Sequence, residues 1–494
     1  MGYKHGVQAN HIQYSTRVSD NLNGRFVPVY IGTLPVHTVS GGANLVNTPI
    51  LLSDFTQAVR TVGYSDDWAT YTLCEAIHTH LALYGTGPIC VINVFDPSEA
   101  EIRSAKSITV TAQNNVIILA QKGNVDIDSV SVDGIEAGKY TVSYDYNYDT
   151  LTIKGVAEDV LKGEVTVKYT EVDASKVTND MVIGGDDGDG TVTGIYLVKR
   201  VYQDTRLIPS RILAPGFSHV PTVRAAMLKM SAKVNNHFDA FIYTDIPLTQ
   251  QVSDETKDIM PSDVASWKSE NSYNADNEKT HWPMWAGNDG HNYHLSVLSV
   301  ATLQLLESAT DGIPYQTCSN NRIRIGGKLF YGTGRKLSLD EESVNNLLNA
   351  NGIVSAIFHG GDWVLWGPHT ASYTQDNADS SNVSETNLAM MYYITNDFQV
   401  RRAQDIDKPM SKNRLDQIVA EEQAFLDKLG PTGIGALLYG EARKIADSAA
   451  QSDMAIGDFA LEWLITQTPN TKSITGTCRY TEDGLATYFG EEGE

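Results

Sequence analysis

The sequence predicts an α/β multidomain protein, and three observations predict it. Strand-like apolar runs alternate with helical periodicity over residues 1–104 and again over 194–370, the pattern of a mostly parallel sheet with helices on both faces. Between them, residues 105–193 switch to short runs of period two, which suits a small β-sandwich or barrel. The chain has 494 residues, enough for about three domains.

Each element has a local reason. Phe26–Gly32 is an apolar strand that stops at glycine, and Ser53–Val62 is a helix with Ser53 as N-cap. Trp68–Leu83 places Ala69, Leu73, Ala76, Ile77 and Leu81 at helical spacing, and Gly85 and Gly87-Pro88 end it. Ile89–Phe95 is almost entirely apolar, as in a strand covered on both faces. The insertion offers Ser107–Thr111, Val116–Leu119, Val130–Val132, Tyr140–Tyr144, Leu151–Lys154 and Val165–Tyr169. Residues 126–190 hold fifteen acids against five bases, a self-contained and solvent-facing module.

Beyond it, Arg211–Ala214 and Ala240–Thr244 are buried strands flanking a helix, Thr222–Asn235, with Thr222 as N-cap. Leu295–Ser308 is another helix, and Gly360-Gly361 joins the strands Gly352–His359 and Trp363–Trp366. After residue 371 the pattern changes again. Asn413–Leu429 is amphipathic, Ile456–Ile465 is a strand, and Ser473–Tyr480 alternates like one.

Composition excludes several function classes. The net charge is −23, which argues against wrapping nucleic acid or docking on an anionic membrane. No run approaches the roughly 18 apolar residues of a membrane span, and Met1–His11 has no secretory-signal core. Cys74, Cys90, Cys318 and Cys478 lie far apart without a CxxC pair, as expected of packed thiols in a reducing compartment.

Site motifs are sparse. Gly327-Lys328 is followed by Leu329, so no P-loop exists. Gly188, Gly190 and Gly194 lack dinucleotide-loop spacing, and Asp186, Asp187 and Asp189 lack the calcium-loop pattern. His78/His80 and His291/His294 form no HExxH, and no G-x-S-x-G elbow is present. The cluster Trp282, Trp285, Tyr293 suits a core or a subunit interface. The reading assigns no catalytic residue, no metal and no cofactor.

Five stretches in order carry a more specific signal. They are VNTPILLSDFTQAVRTVGYSDDWATYTLCEAI (Val46–Ile77) with GTGPICVINVFDP (Gly85–Pro97), HWPMWAGNDG (His281–Gly290), GIPYQTCSNNRIRIGG (Gly312–Gly327), VNNLLNANGIVSAIFHGGDWVLWGPHTASY (Val344–Tyr373) and KNRLDQIVAEEQAFLDKLGPTGI (Lys412–Ile434). Together, from about Arg25 to Phe489, they resemble the contractile tail sheath family of phages and phage-tail-like particles. In the third stretch Thr317-Cys318 replaces the family's usual small or proline residues.

The resemblance implies a subtilisin-like α/β core without a catalytic triad, an inserted outward β-sandwich, an α+β C-terminal domain and extended arms. Mapped here, these are an arm at 1–24, a core from 25–104 and 194–370, a sandwich at 105–193, a tube-facing domain at 371–472 and an arm at 473–494. It implies a structural subunit that polymerises around a tail tube and contracts from a metastable extended state, driving the tube through a bacterial envelope. Implied partners are copies of itself in stacked hexameric rings, the tail tube protein, and baseplate and terminator proteins, with no direct nucleic acid or membrane insertion. The implied location is the tail of a virion or tail-like particle assembled in the host bacterial cytoplasm.

Strand-linking arms are expected at Val7, Ala9 and His11 and at Ile474, Gly476, Cys478 and Tyr480; plain intrachain edge strands are the alternative. Tube-facing candidates are Asp416, Glu421, Glu422 and Asp427, against a merely solvated helix face. Two other functions compete with the sheath: a degenerate subtilisin-like hydrolase, and a surface adhesin, which would need an anchor.

Overall fold

The computed structural model describes residues 26–377, 381–445 and 457–482, together with 484, 485 and 488. Val7, Ala9 and His11 lie outside the described residues. In chain order the first part holds β1 (Phe26–Gly32), β2 (Pro49–Leu52), α1 (Phe55–Val62), α2 (Leu73–Ile77) and β3 (Ile89–Asn93). The insertion follows as β4 (Arg103–Ala112), β5 (Val116–Ala120), β6 (Val125–Val132), β7 (Tyr140–Asp145), β8 (Thr150–Gly155) and β9 (Gly163–Val172). Then come α3 (Asn179–Ile183), β10 (Gly185–Asp186), β11 (Val192–Thr193), α4 (Val201–Thr205), β12 (Ile208–Leu213), α5 (Pro221–Ser231), β13 (Phe241–Asp245), β14 (Thr249–Val252), β15 (Glu255–Asp258) and α6 (Val264–Glu270). Next are β16 (Glu278–His281), β17 (Met284–Gly287), β18 (Asn292–His294), α7 (Leu295–Ser308), β19 (Gly327–Phe330), α8 (Glu341–Ser343), β20 (Ile353–His359) and β21 (Asp362–Trp366). The chain closes with α9 (Glu385–Arg402), α10 (Lys412–Leu429), β22 (Leu437–Lys444) and β23 (Leu461–Gln467).

An eight-stranded sheet organises the molecule in the order β2-β3-β1-β12-β13-β16-β20-β21. Its six inner strands run parallel, and β2 and β21 close the edges antiparallel. Helices bury both faces, so β1 and β3 are apolar almost throughout and β13 is buried along its whole length. The strand order reverses at β1, where open α/β sheets usually hold a ligand. Here Thr72 and Leu73 occupy that crevice: a Cβ on Gly32 would lie 2.3 Å from the Thr72 hydroxyl.

The insertion forms two three-stranded sheets, β4-β9-β6 and β5-β8-β7. They share a core of their own that includes Ile117, Val125, Leu151, Ile153 and Val167. It meets the rest of the chain through His37 Nε2 and the Gly123 carbonyl (2.7 Å), Ser40 donating to Asp128 (2.9 Å), and Tyr64 against Tyr146 (5.0 Å between rings).

Several boundaries differ from the sequence reading. Asp54, not Ser53, caps α1, its carboxylate accepting from Gln57 N at 2.8 Å. Residues 73–84 are helical, but the turns after Ile77 widen to a π-helix, and Trp68–Thr72 form turns instead. Pro221, not Thr222, opens α5, which ends at Ser231; proline suits the first helical position because its missing N–H has no intrahelical partner there. The last strand sits at Leu461–Gln467. Strand β16 escaped the apolar-run rule altogether, because its sequence is EKTH.

All four residues of β16 are fully buried. Glu278 accepts from Arg224 Nε (3.1 Å) and Thr244 (3.0 Å), binding α5 to one face of the sheet. Lys279 and the Tyr243 hydroxyl both donate to Glu385, binding α9 to the other. His281 contacts the Thr244 carbonyl with Nδ1 and Ser299 with Nε2, each at 3.0 Å.

Replacing Glu385 by Ala leaves Lys279 buried without a counter-charge. The expected loss is about 3–5 kcal/mol, read from the urea midpoint, and the double change Lys279→Met with Glu385→Leu should recover most of it. Stability should also peak near pH 6.5. Burial pulls His37, His80, His219, His281 and His369 down to about 4. The folded chain therefore binds fewer protons than the unfolded one below pH 6.5, and stability falls from there towards pH 4. Burial also pulls at His294, but the charge and hydrogen bond of Glu75 outweigh it and raise the imidazole to about 9. That contribution is complete below pH 6.5 and disappears as pH rises through 9. Thermal melts across this range check both limbs, and His294→Gln should flatten the alkaline one.

Candidate functional site

The C-terminal region concentrates the residues that sequence reading marked for assembly. Ser384 caps α9 and Ser411 caps α10, each hydroxyl accepting a backbone N–H of the first turn. The buried positions Leu415, Ile418, Glu422, Leu426 and Leu429 face one way on α10. Four of them are apolar. The fifth, Glu422, has a side chain with no exposure and accepts from Arg401 (2.5 and 2.9 Å) and Arg402 (3.0 and 2.6 Å). Its charge is neutralised within the subunit, so in this conformation it offers nothing to a partner.

The other three acids are more open. Glu421 bonds Arg402 and Arg414, and the Arg402 contact, mainly, holds its carboxyl below the usual range. Asp416 is exposed and paired with Lys444, which lowers it likewise. Asp427 is exposed and accepts from Gln423 at 2.8 Å. Arg414 ties α10 back to Asp405 at 2.7 Å. The helix thus presents one buried acid, one half-buried acid and two exposed ones.

Strands β22 and β23 form a separate two-stranded sheet packed on α10. The Gln423 amide donates to the Gly440 carbonyl (3.0 Å) and accepts from Ala442 N (2.9 Å), capping the outer edge of β22. No strand among the described residues pairs with the outer edge of β23. Leu438 and Tyr439 point to solvent at 54% and 50% exposure.

The chain then leaves along a fixed root. Thr468 bonds Ala436 and Gly435, Asn470 donates to Thr386 (2.8 Å), and Lys472 donates to the Tyr373 hydroxyl (3.0 Å). Tyr373 in turn stacks on His369 with ring centroids 3.9 Å apart. Past Lys472 every residue to Thr481 is exposed, Ile474 at 89% and Tyr480 at 82%, with Gly476 and Cys478 between them. Residues 473–480 form no strand within this subunit.

Elsewhere, the residues whose chemistry the sequence brought forward have partners within the fold. His281 and Ser299 meet at 3.0 Å, but both are fully buried and the other ring nitrogen faces a carbonyl, not a carboxylate. His294 pairs with Glu75 at 2.7 Å, a partner 219 positions away that no spacing rule could reveal. His78 and His291 pack around Trp68. Asp187 bonds the backbone of Asp189 and Thr191 within its own turn. Trp282, Trp285 and Tyr293 are core. No group of three metal-ligating side chains converges among the described residues.

No family model matches the chain. The tail sheath protein of Burkholderia phage BcepMu is 24% identical over 519 aligned residues, covering 99% of both chains. The chain is thus similar over its whole length to a phage tail sheath protein. Its fold is also that of two solved assemblies. One is the sheath complex of an extracellular contractile injection system in its contracted state (TM-score 0.55, 9% identity, 98% of this chain and 99% of that one). The other is a chain of the anti-feeding prophage baseplate (TM-score 0.55, 10% identity, 97% and 100%). The hydrolase alternative finds no support in either comparison.

Glu422→Gln should cost about 2–4 kcal/mol of stability, because two guanidinium groups lose their shared counter-charge. Asp416→Asn and Asp427→Asn should each stay within about 0.5 kcal/mol. Urea denaturation of the three variants tests the ranking.

Proposed function

We propose that this chain is the structural subunit of a contractile tail sheath. Copies polymerise as a helical sleeve around a tail tube, are held in a metastable extended state, and contract to drive the tube through a bacterial envelope. The homology over the full length carries this reading. The work comes from subunit repacking, as in other bistable assemblies, so neither a nucleotide site nor catalysis is required. Partners are further copies of the chain, the tube protein, and baseplate and terminator proteins; the place of action is the tail particle.

The finer assignments follow the same reading. Residues 25–104 and 194–370 make the subtilisin-like core, the acidic insertion at 105–193 faces outward, 371–472 faces the tube, and 1–24 and 473–494 are linking arms. Three observations support the C-terminal arm: a root pinned at Asn470 and Lys472, a solvent-exposed segment beyond it, and a β23 edge that no strand among the described residues pairs with. Val7, Ala9 and His11 would serve the N-terminal link. Of the tube-facing acids, Asp416 and Asp427 are the exposed ones.

Negative-stain electron microscopy of the purified chain at rising concentration tests the function directly. Tubes or rings are expected. Removing residues 473–494 should abolish them while leaving the thermal unfolding transition in place, and dispersed wild-type particles that ignore added tube protein would sink the proposal. Reversing Asp416 and Asp427 to Lys should weaken tube retention and its salt dependence together.

A further inference from the structure

The β20–β21 hairpin turns at Gly360-Gly361 and carries aromatic side chains to the surface. Phe358 is 63% exposed and Leu347 37%, while Trp363 and Trp366 are half-buried. These rings are not loose. Phe358 lies edge-on to Trp363 with centroids 6.0 Å apart, and Trp363 packs on the buried Trp285 at 5.1 Å. Trp285 sits opposite Leu329 in the β17–β19 pair, so the aromatic tip adjoins β19 and the turn after it.

That neighbouring segment has an unusual charge. From Gly312 to Leu339 it contains Arg322, Arg324, Lys328, Arg335 and Lys336 and no acid, in a chain of net charge −23. All five are exposed. Arg322 pairs with Asp362 of the hairpin at 3.2 Å and so joins the two surfaces. Arg335 lies over Tyr331. No carboxylate among the described residues pairs with Lys328, Arg335 or Lys336.

Exposed aromatics held by a second ring and bordered by arginine are the composition of interface hot spots, the lysines suit a charged rim, and the prior ordering of the rings lowers the entropy cost of binding. Charge decides the occupant. Two copies of a strongly acidic chain repel at most approaches, but at a locally cationic face a second copy's acidic surface is attracted. We propose that the Phe358–Trp366 hairpin and the basic β19 turn form a contact between copies of this chain, separate from the arms, with an aromatic centre and an electrostatic rim. This rests on the sheath reading, which supplies the polymer in which such a contact recurs.

The test uses the full-length chain with Phe358→Asp and, separately, Lys328→Glu combined with Lys336→Glu. All these positions are exposed, and circular dichroism with urea melts verifies that each variant folds. Pelleting assays across a concentration series, at low and high salt, read the concentration at which polymer first appears. Each variant is expected to raise it at least about tenfold, and the charge-reversed one should also lose the wild type's salt dependence. Variants that assemble at the wild-type concentration with the wild-type salt response overturn this contact and leave the sheath reading standing. A folded wild type that never assembles, with or without tube protein, overturns both.

Discussion

The burial of charge in β16 is the constraint on which the core depends. A strand in the middle of a sheet covered on both faces has no access to water, and a charge there is tolerated only with a partner in good geometry. Glu278 and Lys279 point to opposite faces, and each finds its partner on a different helix, Arg224 of α5 and Glu385 of α9. Neither helix can shift without stranding an ion, so the helical layers are fixed to one strand. The same logic recurs at Arg211, whose guanidinium pairs with Glu307 at the end of α7. Pairs of this kind add little net stability over apolar packing, but they penalise misregistration heavily. A subunit that must move as a rigid body needs that property more than it needs extra stability.

The same requirement explains the C-terminal region. Arg401, Arg402, Arg414, Asp405, Glu421 and Glu422 form one ion-pair lattice that joins α9 to α10. Through Glu385, α9 is already locked to the sheet, so the lattice carries that rigidity outward to α10 and the small sheet packed on it. Beyond Lys472 the character changes abruptly, because no further side chain to Thr481 is sheltered. A stiff body with a fixed exit point and a solvent-exposed segment beyond it suits linkage by strand addition, in which backbone hydrogen bonds persist while the bodies they connect reorient.

How much of this was legible in the sequence follows from where its physics is local. The parallel-sheet architecture was readable because β1, β3 and the Phe241–Tyr243 part of β13 are apolar on both faces, and the helix Leu295–Ser308 fell where its periodicity placed it. The homology was readable because five motifs keep their order. Strand β16 was not, since its charges are satisfied by Arg224 and Glu385, 54 and 106 positions away. Glu422 stood among the exposed acids for the same reason: the pattern of α10 counts charge as surface, and only the two arginines of α9 reveal that it is inside. The cap of α1 moved by a single residue because Ser53 and Asp54 are both capable acceptors and only the backbone decides between them.

These distances suggest a division of labour between contacts. Within the subunit, the pairs that join the helices to the sheet and to one another, Arg224 with Glu278, Lys279 with Glu385 and Arg401 with Glu422, are largely buried and shielded from salt, so ionic conditions should barely alter its shape. At the proposed contacts with the tube and with neighbouring copies, the exposed acids of α10 and the basic residues of and after β19 are open to solvent, where attraction is weak, screened and quickly reversible. An assembly that stores free energy in packing needs both kinds of contact. If the internal pairs were as soft as the external ones, a trigger would deform subunits instead of rotating them; if the external ones were as hard as the internal, the extended state could not be left. In the proposed assembly the arms keep neighbours attached while the weaker surfaces exchange partners.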